Sequence, residues 1–346
     1  MDPIYVFGHK NPDTDSVVSA MAYAALRNAL GENEYVAARL GHLNDETAYL
    51  LDKFGFKPPV YLSTVRTQVR DIDFDRPPAL GANVAVSHAW KVIQENSSIS
   101  AVPVTTENGE LFGMVTAGGI AESDMKSIQH PVVENVPVFN LLSALEGRII
   151  NDDEDVFDAI SGEVQIALPS CGACLKGAGK QSIIICGQQE DVADRALEIG
   201  VSCLILCQSD LAEKYRGRSC QTCIIATPCD AYRAARMIYQ AIPVSRIAQT
   251  KDLVFFHPDD FIDDVREVVL QSRYRSYPVL DENNHVVGAL SRYHLLRPRR
   301  KRVVLMDHNE RSQSVPGLDQ AEIMAIIDHH RLADVQTANP VFMRNE

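Results

Sequence analysis

The chain has 346 residues, a formal net charge of −13 and a hydrophobic fraction of 46%. This length exceeds the ~100–200 residues of a usual single domain and predicts two or more domains. The acidic balance opposes binding to a nucleic acid backbone, and no apolar run is long enough to span a bilayer. Asp2 and Pro3 stand where a signal peptide would have its basic start. We therefore expect a cytoplasmic protein with neither a membrane nor a nucleic acid partner.

The first motif, GHKNPDTDS at residues 8–16, directly follows the apolar run IYVF. It brings His9, Asp13 and Asp15 to the end of a predicted strand. Asp15 or Ser16 could instead cap the helix predicted by VVSAMAYAALRNAL. Capping accounts for one acidic residue, but not for His9 and Asp13 as well. Carboxylates combined with imidazole favour Mn²⁺, Co²⁺ or Zn²⁺ over Mg²⁺ alone, so the motif indicates a metal site.

Residues 99–119 and 274–294 form an internal repeat that aligns without a gap. Pro103 matches Pro278, and Gly113 matches Gly288. Each copy predicts an apolar strand, an acidic turn, a second apolar strand and a Ser or Thr that opens a helix. A helix with apolar spacing precedes each copy. The pair resembles the cystathionine β-synthase (CBS) domain pair, a regulatory module that holds adenine nucleotides.

The CBS resemblance implies a nucleotide cleft near Arg275 and Tyr277, just before the proline of the second copy. Tyr can stack on adenine, and Arg can bind phosphate through two parallel hydrogen bonds. Ser291 and Thr116 stand where the closing helix of each copy begins, although neither is followed by the Asp that holds ribose in many CBS domains. A half-buried strand position is the alternative interpretation for Tyr277.

Residues 130–245 predict an α/β unit between the two copies. The segments QSIIIC, CLILC and CIIAT alternate with DVADRALEIG and DAYRAARMIYQAI, which have helical spacing. In pattern and place the run resembles the DRTGG domain found between CBS domains, although the chain contains no DRTGG string.

Two further features of the sequence, its cysteine pairs and a basic run, are not interpreted as binding sites. The pairs Cys171/Cys174 and Cys220/Cys223 are much further apart than the ~15–20 residues of compact zinc ribbons, so we interpret these cysteines as small buried apolar residues of a reducing cytosol. The basic run of Arg297, Arg299, Arg300, Lys301 and Arg302 is interpreted as a solvated linker, with a nucleic-acid-binding patch as the alternative.

Near the other end, KRVVLMDHNE (301–310) and EIMAIIDHHR (322–331) repeat the design of the first motif. Each is an apolar, buried-type strand that ends in acidic and imidazole side chains. Ligands gather at the carboxyl ends of strands in an open α/β sheet, so the three clusters can converge at one edge. Asp307, Asp328, His329 and His330 would then face the first motif. The sequence thus predicts a binuclear metal site.

With GHKNPDTDS, MDHNE and DHHR in this order, the chain resembles the family II inorganic pyrophosphatases of the DHH superfamily. The inserted CBS and DRTGG segments narrow the resemblance to the nucleotide-regulated subtype. The resemblance implies pyrophosphate hydrolysis at two Mn²⁺ or Co²⁺ ions, with further Mg²⁺ arriving with the substrate. It implies AMP, ADP, ATP or diadenosine polyphosphates as regulators, and a homodimer. The implied roles are His9 and Asp13 on one ion, Asp15 and His329 on the other, Asp307 as the bridge, Asp328 as an orienting group and His330 at the substrate.

The expected fold class is α/β, with a parallel-sheet DHH lobe interrupted by the CBS pair and the DRTGG-like domain. The expected segments are DHH 1–65, CBS 66–128, DRTGG-like 129–245, CBS 246–298 and DHH 299–346. The resemblance also implies a second lobe whose Lys and Arg hold the diphosphate, and the sequence given stops at FMRNE without it. We therefore expect impaired activity of this stretch alone. A DHH phosphodiesterase acting on oligonucleotides and a non-enzymatic nucleotide sensor remain the alternatives.

Overall fold

The fold is taken from a computed structural model that describes residues 3–32, 34–96, 99–151, 158–167, 175, 177–296 and 298–344. The strands are β1 (Ile4–Phe7), β2 (Tyr35–Arg39), β3 (Val60–Tyr61), β4 (Leu80–Gly81), β5 (Ala101–Thr105), β6 (Leu111–Thr116), β7 (Val132–Pro137), β8 (Arg148–Ile149), β9 (Ala159–Ile166), β10 (Ser182–Cys186), β11 (Cys203–Cys207), β12 (Cys223–Thr227), β13 (Ser276–Leu280), β14 (Val286–Ser291), β15 (Arg302–Met306), β16 (Glu322–Asp328) and β17 (Val341–Met343).

The α-helices are α1 (Thr14–Ala29), α2 (Asp45–Lys53), α3 (Val86–Glu95), α4 (Ala117–Gln129), α5 (Val138–Leu145), α6 (Glu190–Ile199), α7 (Leu211–Tyr215), α8 (Ala231–Gln240) and α9 (Ile262–Gln271). Short 3₁₀ helices cover Val69–Asp71, Val244–Arg246, Arg292–Leu295, Arg311–Gln313 and Leu318–Gln320. None of the described helices is both long and apolar enough to cross a membrane.

The described chain forms two compact units. The first contains the residues up to Phe74, Phe256–Tyr274 and the residues from Ser291 onward. The second contains Asp75–Phe255 and Arg275–Leu290. The first and last parts of the sequence therefore build one unit, and most of the middle builds the other.

The first unit contains a six-stranded sheet in the order β17-β16-β15-β1-β2-β3. Every neighbouring pair is parallel, and Ile4 of β1 pairs with both Tyr35 and Arg302. The central strands are apolar on both faces: Phe7 packs on one side, and Val6 packs with Ala20 of α1 on the other. This burial on both faces explains why IYVF and RVVLM are nearly continuous apolar runs. The predicted parallel-sheet lobe is confirmed.

The second unit contains a six-stranded sheet in the order β7-β9-β10-β11-β12-β8. The strands β9 to β12 are parallel neighbours, whereas β7 and β8 pair antiparallel at the two edges. Ala234 and Ile238 of α8 pack on one face, and Ala193 and Ala196 of α6 pack on the other. The predicted α/β unit between the repeats is confirmed.

The internal repeat corresponds to two matching hairpins. In the first copy β5 and β6 pair antiparallel, and in the second copy β13 and β14 form a two-stranded sheet. Each strand of the second copy begins and ends 175 residues after its counterpart in the first copy. The ungapped alignment of the two sequences therefore holds at the level of individual strand ends.

The cysteines that the structure describes are free thiols. Cys223 is completely buried in the core of the second unit, and Cys220 is half-buried. Burial raises the pKa of Cys186 to about 12, so this thiol stays neutral. The interpretation as small buried residues is confirmed for Cys223, while Cys171 and Cys174 lie outside the described residues.

The basic run before β15 is largely paired with acids of the first unit. Arg299 pairs with Asp73, Lys301 lies 3.2 Å from Asp71, and Arg302 lies 2.9 Å from Glu34. Arg299, Lys301 and Arg302 are therefore paired with acidic side chains of the same unit. The strand β15 begins at the last residue of the run. Arg297 lies outside the described residues.

Candidate metal centre

The first metal motif is shaped by a close approach between β1 and α1. A side chain at Gly8 would place its Cβ only 1.8 Å from Ser16 Oγ, so this position requires glycine. The His9 backbone N–H donates to that same Ser16 Oγ at 3.0 Å. Asp13, rather than Asp15 or Ser16, is the N-cap of α1, and its Oδ1 accepts from the Ser16 N–H at 3.0 Å. The other oxygen, Oδ2, remains free to lie 3.6 Å from His9 Nε2.

Asp307 lies at the centre of the site, directly after β15. Its backbone has a left-handed conformation with φ of 58°, and its side chain is 6% exposed. The Asp307 N–H donates to the Ile327 carbonyl of the neighbouring strand at 2.8 Å, which holds this conformation. Oδ2 lies 3.4 Å from His9 Nε2, and Oδ1 lies 3.0 Å from His329 Nε2. Its two oxygens therefore face imidazoles from two different strand ends.

The candidate ligand atoms form two groups, and the atoms of each group lie within 4.8 Å of one another. Asp307 belongs to both groups. One group is His9, Asp13 and Asp307, and the other is Asp307, His329 and His330. Asp15 adjoins the second group, because its Oδ2 lies 3.7 Å from His329 Nε2. Two clusters of oxygen and imidazole donors joined by one carboxylate suit a pair of bridged transition-metal ions. All five predicted metal ligands are thus brought together.

Asp328 is the hydrogen-bond acceptor at the end of β16. Its Oδ1 accepts from the His329 N–H at 2.7 Å, from the His330 N–H at 3.0 Å and from His330 Nδ1 at 2.8 Å. Burial of the Asp328 carboxylate favours its neutral form, but these bonds and one from Asn309 outweigh burial and lower its pKa. The hydrogen bond to Asp328 in turn raises the pKa of His330.

Electrostatics at the centre favour a bound cation. Burial and the nearby Asp15 carboxylate raise the pKa of Asp307, although His9 opposes this shift. A divalent cation would offset both causes, because it stabilises the ionised carboxylate. Next to Asp307, burial lowers the pKa of His308, whose Nδ1 lies 2.9 Å from the Met306 carbonyl oxygen.

The ligand pattern of the sequence assigns no role to Asn309, which is 4% exposed and donates to Asp328 Oδ2. A neutral amide beside an acidic residue gives no metal signal, so only its position within MDHNE could have drawn attention to it. Its contact with a residue of the next motif depends on the pairing of β15 with β16, which the sequence does not show.

The four predicted nucleotide contacts have different surroundings. Thr116 caps α4, and its Oγ1 accepts from the Gly119 N–H at 2.9 Å. Ser291 Oγ lies 3.0 Å from His294 Nδ1. Arg275 is exposed, whereas Tyr277 is 0% exposed and therefore has no ring face open to a ligand.

Tyr277 is a strand residue, as in the alternative interpretation, but it is fully buried rather than half-buried. The structure thus assembles the metal residues, whereas the nucleotide contacts stay a prediction.

The sequence matches a known family and known enzymes. A sequence profile of the DHH family, N-terminal domain, matches residues 3–346. A cobalt-dependent inorganic pyrophosphatase of Clostridium perfringens is 36% identical over 352 residues, covering 100% of this chain and 63% of the relative. A probable manganese-dependent inorganic pyrophosphatase of Thermotoga maritima is 31% identical over the whole chain and 64% of the relative. The chain thus spans less than two thirds of the length of these relatives.

One solved structure is similar to the regulatory part. It contains the CBS and DRTGG domains of the Clostridium perfringens pyrophosphatase in complex with an activator, diadenosine tetraphosphate. The TM-score is 0.53 at 27% identity, and the match covers 65% of this chain and 99% of that one. The predicted presence of inserted CBS and DRTGG-like domains is thereby confirmed.

Proposed function

The chain belongs to the DHH family, and from that premise we propose that it supplies the metal centre of an inorganic pyrophosphatase. The observation that carries the proposal is the position of Asp307, which belongs to both groups of ligand atoms. A shared carboxylate is what a two-metal hydrolytic site needs, because both ions must lie close to one attacking water. The names of the two full-chain relatives support pyrophosphate as the substrate.

The proposed metals are Mn²⁺ or Co²⁺, for which imidazole ligands are well suited. We assign His9 and Asp13 to one ion and Asp15 and His329 to the other, with Asp307 bridging them. Two such ions, when bound, lower the pKa of a water and neutralise phosphate oxygens. Mg²⁺ is proposed to arrive with the substrate.

The protein groups that we assign to proton transfer and orientation are His330 and Asp328. The Asp328 carboxylate fixes the Nδ1 side of His330, so the Nε2 side is the one left for the substrate. A raised pKa keeps His330 protonated to a higher pH than an ordinary histidine. His330 is therefore proposed to hold a proton at Nε2 for the departing phosphate.

Regulation is proposed to act through the CBS pair, with AMP, ADP, ATP or diadenosine polyphosphates as ligands. The similar regulatory region from Clostridium perfringens, which was solved with diadenosine tetraphosphate, supports this class of ligand. Arg275 remains the proposed phosphate contact in the second unit. Thr116 of the second unit and Ser291 of the first remain proposed nucleotide contacts without an assigned group. The full burial of Tyr277 argues against adenine stacking there.

The predicted segments 1–65, 66–128, 129–245, 246–298 and 299–346 are retained as a proposal. The matching hairpins and the central β10, β11 and β12 strands support the three inner ones. A homodimer and a cytoplasmic location also stay predictions. The free thiols among the described residues are consistent with a reducing compartment.

The function is tested by phosphate release from pyrophosphate with Mn²⁺ or Co²⁺, using the whole protein and its Asp307→Asn variant. We expect turnover by the wild type and almost none by the variant, because the bridging charge is lost. Cleavage of short oligonucleotides without phosphate release from pyrophosphate would favour the phosphodiesterase alternative and overturn the proposal.

A further inference from the structure

Asn309 connects the end of β15 to the loop that follows β16. Its Nδ2 donates to Asp328 Oδ2 and, at 2.9 Å, to the Arg331 carbonyl oxygen. Its Oδ1 accepts from the Ala333 N–H, and its backbone carbonyl accepts from the Val335 N–H at 3.1 Å. Both ends of the amide are therefore bonded to the 328–335 segment.

The chemistry of these contacts requires an amide. Nδ2 faces two acceptors, a carboxylate and a carbonyl, while Oδ1 faces an N–H, so the orientation of the amide is fixed by its partners. An aspartate of the same size would direct an oxygen at both acceptors. An apolar residue would leave Asp328 Oδ2 buried without this donor, which is costly for a charged acceptor.

The contacts of Asp328 pass the effect of Asn309 on to His330. The Asp328 side chain is 0% exposed, and its Oδ1 accepts from His330 Nδ1 at 2.8 Å. His330 itself is 56% exposed, and its other described contacts are Asp307 Oδ1 at 3.7 Å and the His329 ring at a centroid distance of 4.4 Å. The orientation of this open imidazole therefore depends mainly on Asp328.

We propose that Asn309 is a positioning residue that holds Asp328, and through it fixes which nitrogen of His330 faces the substrate. The inference rests on the proposed function, because it concerns the group assigned to the departing phosphate. By holding both Asp328 and the Arg331 carbonyl, Asn309 stops the carboxylate from rotating away from His330. Once the protonated ring has given up its Nε2 proton, the neutral imidazole is thereby kept in the form that carries its remaining proton on Nδ1.

The test compares Asn309→Asp with Asn339→Asp. Asn339 is a matched control, since its Nδ2 donates to the Ile323 carbonyl at 2.8 Å, near the beginning of the same strand β16. The primary readout is the ¹H–¹⁵N long-range spectrum of the histidine side chains at a pH where His330 is neutral. The His330 signal is assigned from its loss in His330→Gln.

We expect the wild type and Asn339→Asp to show the Nδ1–H form of His330, and Asn309→Asp to show a mixture of both forms. In the whole protein, kcat for phosphate release should fall about 10–100-fold in Asn309→Asp, the range typical of groups behind a metal ligand. Asn339→Asp should leave kcat unchanged.

An unchanged His330 signal in a folded Asn309→Asp variant would overturn the inference. Asn309→Ala, which removes the amide without adding a charge, provides the same test if Asn309→Asp does not fold. The spectrum does not depend on pyrophosphate hydrolysis. A shifted signal in a protein that never releases phosphate would therefore refute the proposed function while leaving the positioning role intact.

Discussion

The two compact units each contain a six-stranded sheet with parallel strands at its centre, but different side chains occupy the carboxyl ends of those strands. In the first unit the strand ends carry histidines and aspartates that meet around Asp307. In the second unit β10 and β11 end in the buried thiols Cys186 and Cys207, and β12 ends in Thr227. Similar architecture therefore supports a metal site in one unit and apolar packing in the other, as expected if function is set by individual side chains.

The thiols of the second sheet are chemically unlike the ligands of the first. Burial and the neighbouring thiols of Cys186 and Cys229 raise the pKa of Cys207 to about 12. A thiol must lose its proton to bind a metal or act as a nucleophile, so Cys207 is inert. Among the described residues, both groups that could hold a metal belong to the first unit.

The largest effect is expected from removing the carboxylate shared by the two metal groups. Asp307→Ala deletes a ligand of both ions, so Mn²⁺ affinity should fall by more than the ~10–100-fold seen when a group behind a ligand is lost. Calorimetric titration with Mn²⁺ measures this. Cys207→Ala, at a strand end of the other sheet, is the matched control and should bind Mn²⁺ like the wild type. Equal affinity in Asp307→Ala would end the bridging assignment.

A core substitution in the second sheet should show the opposite pattern. Ile205 lies in the middle of β11 and is 0% exposed, so Ile205→Ala should lower the free energy of unfolding by about 2–5 kcal/mol. Mn²⁺ affinity should stay unchanged while the protein is folded. Denaturant unfolding gives the first quantity, with exposed Tyr232→Ala as the control. If Ile205→Ala lost less unfolding free energy than Tyr232→Ala, β11 would be poorly packed.

Gly8→Ala tests whether the metal loop of the first sheet depends on close backbone approach. The added methyl would overlap Ser16 Oγ, so α1 must shift, at a cost of about 1–3 kcal/mol in unfolding free energy. Mn²⁺ affinity should fall too, since His9 and Asp13 flank this contact. Gly179→Ala is the control, because nothing lies within 4 Å of the place its added methyl would take. Matching melting temperatures for the two variants would contradict the predicted overlap.

The smallest effect is expected in the second unit, at the start of α4. Thr116→Ala removes the hydroxyl that caps the Gly119 N–H and should cost about 0.5–2 kcal/mol of unfolding free energy. Thr116→Ser keeps the cap and should be close to the wild type. If Thr116 also contacts ribose, calorimetry should show weaker AMP binding in the alanine variant than in the serine variant. Equal stability of the two would show that the cap contributes nothing.

Much of the fold, and the convergence of the candidate metal ligands at one sheet edge, could be predicted because local sequence patterns carried the information. The apolar runs IYVF and RVVLM indicated buried parallel strands, and the rule that ligands lie at strand carboxyl ends brought His9 and Asp307 together before their distance was known. The internal repeat could be predicted equally well, since its two copies align at one fixed spacing along the sequence.

The remaining features depend on contacts between distant residues. Asn309 carries no charge, and its role is visible only once β16 lies beside β15. The sequence does not show how deeply the side chain of Tyr277 is buried, and the structure places it in the core. The pairing of Lys301 with Asp71 likewise required the folded chain, because nothing in either local sequence selects the other.

The pairing of Ile4 with Arg302 has a consequence for how the protein is made. At a synthesis rate of ~5–20 residues per second, β15 leaves the ribosome roughly 15–60 s after its neighbour β1. Throughout that interval one edge of β1 has no β15 to pair with, and the metal centre lacks its central carboxylate. A nascent chain arrested before residue 302 should therefore fail to retain Mn²⁺, however long the ion is supplied.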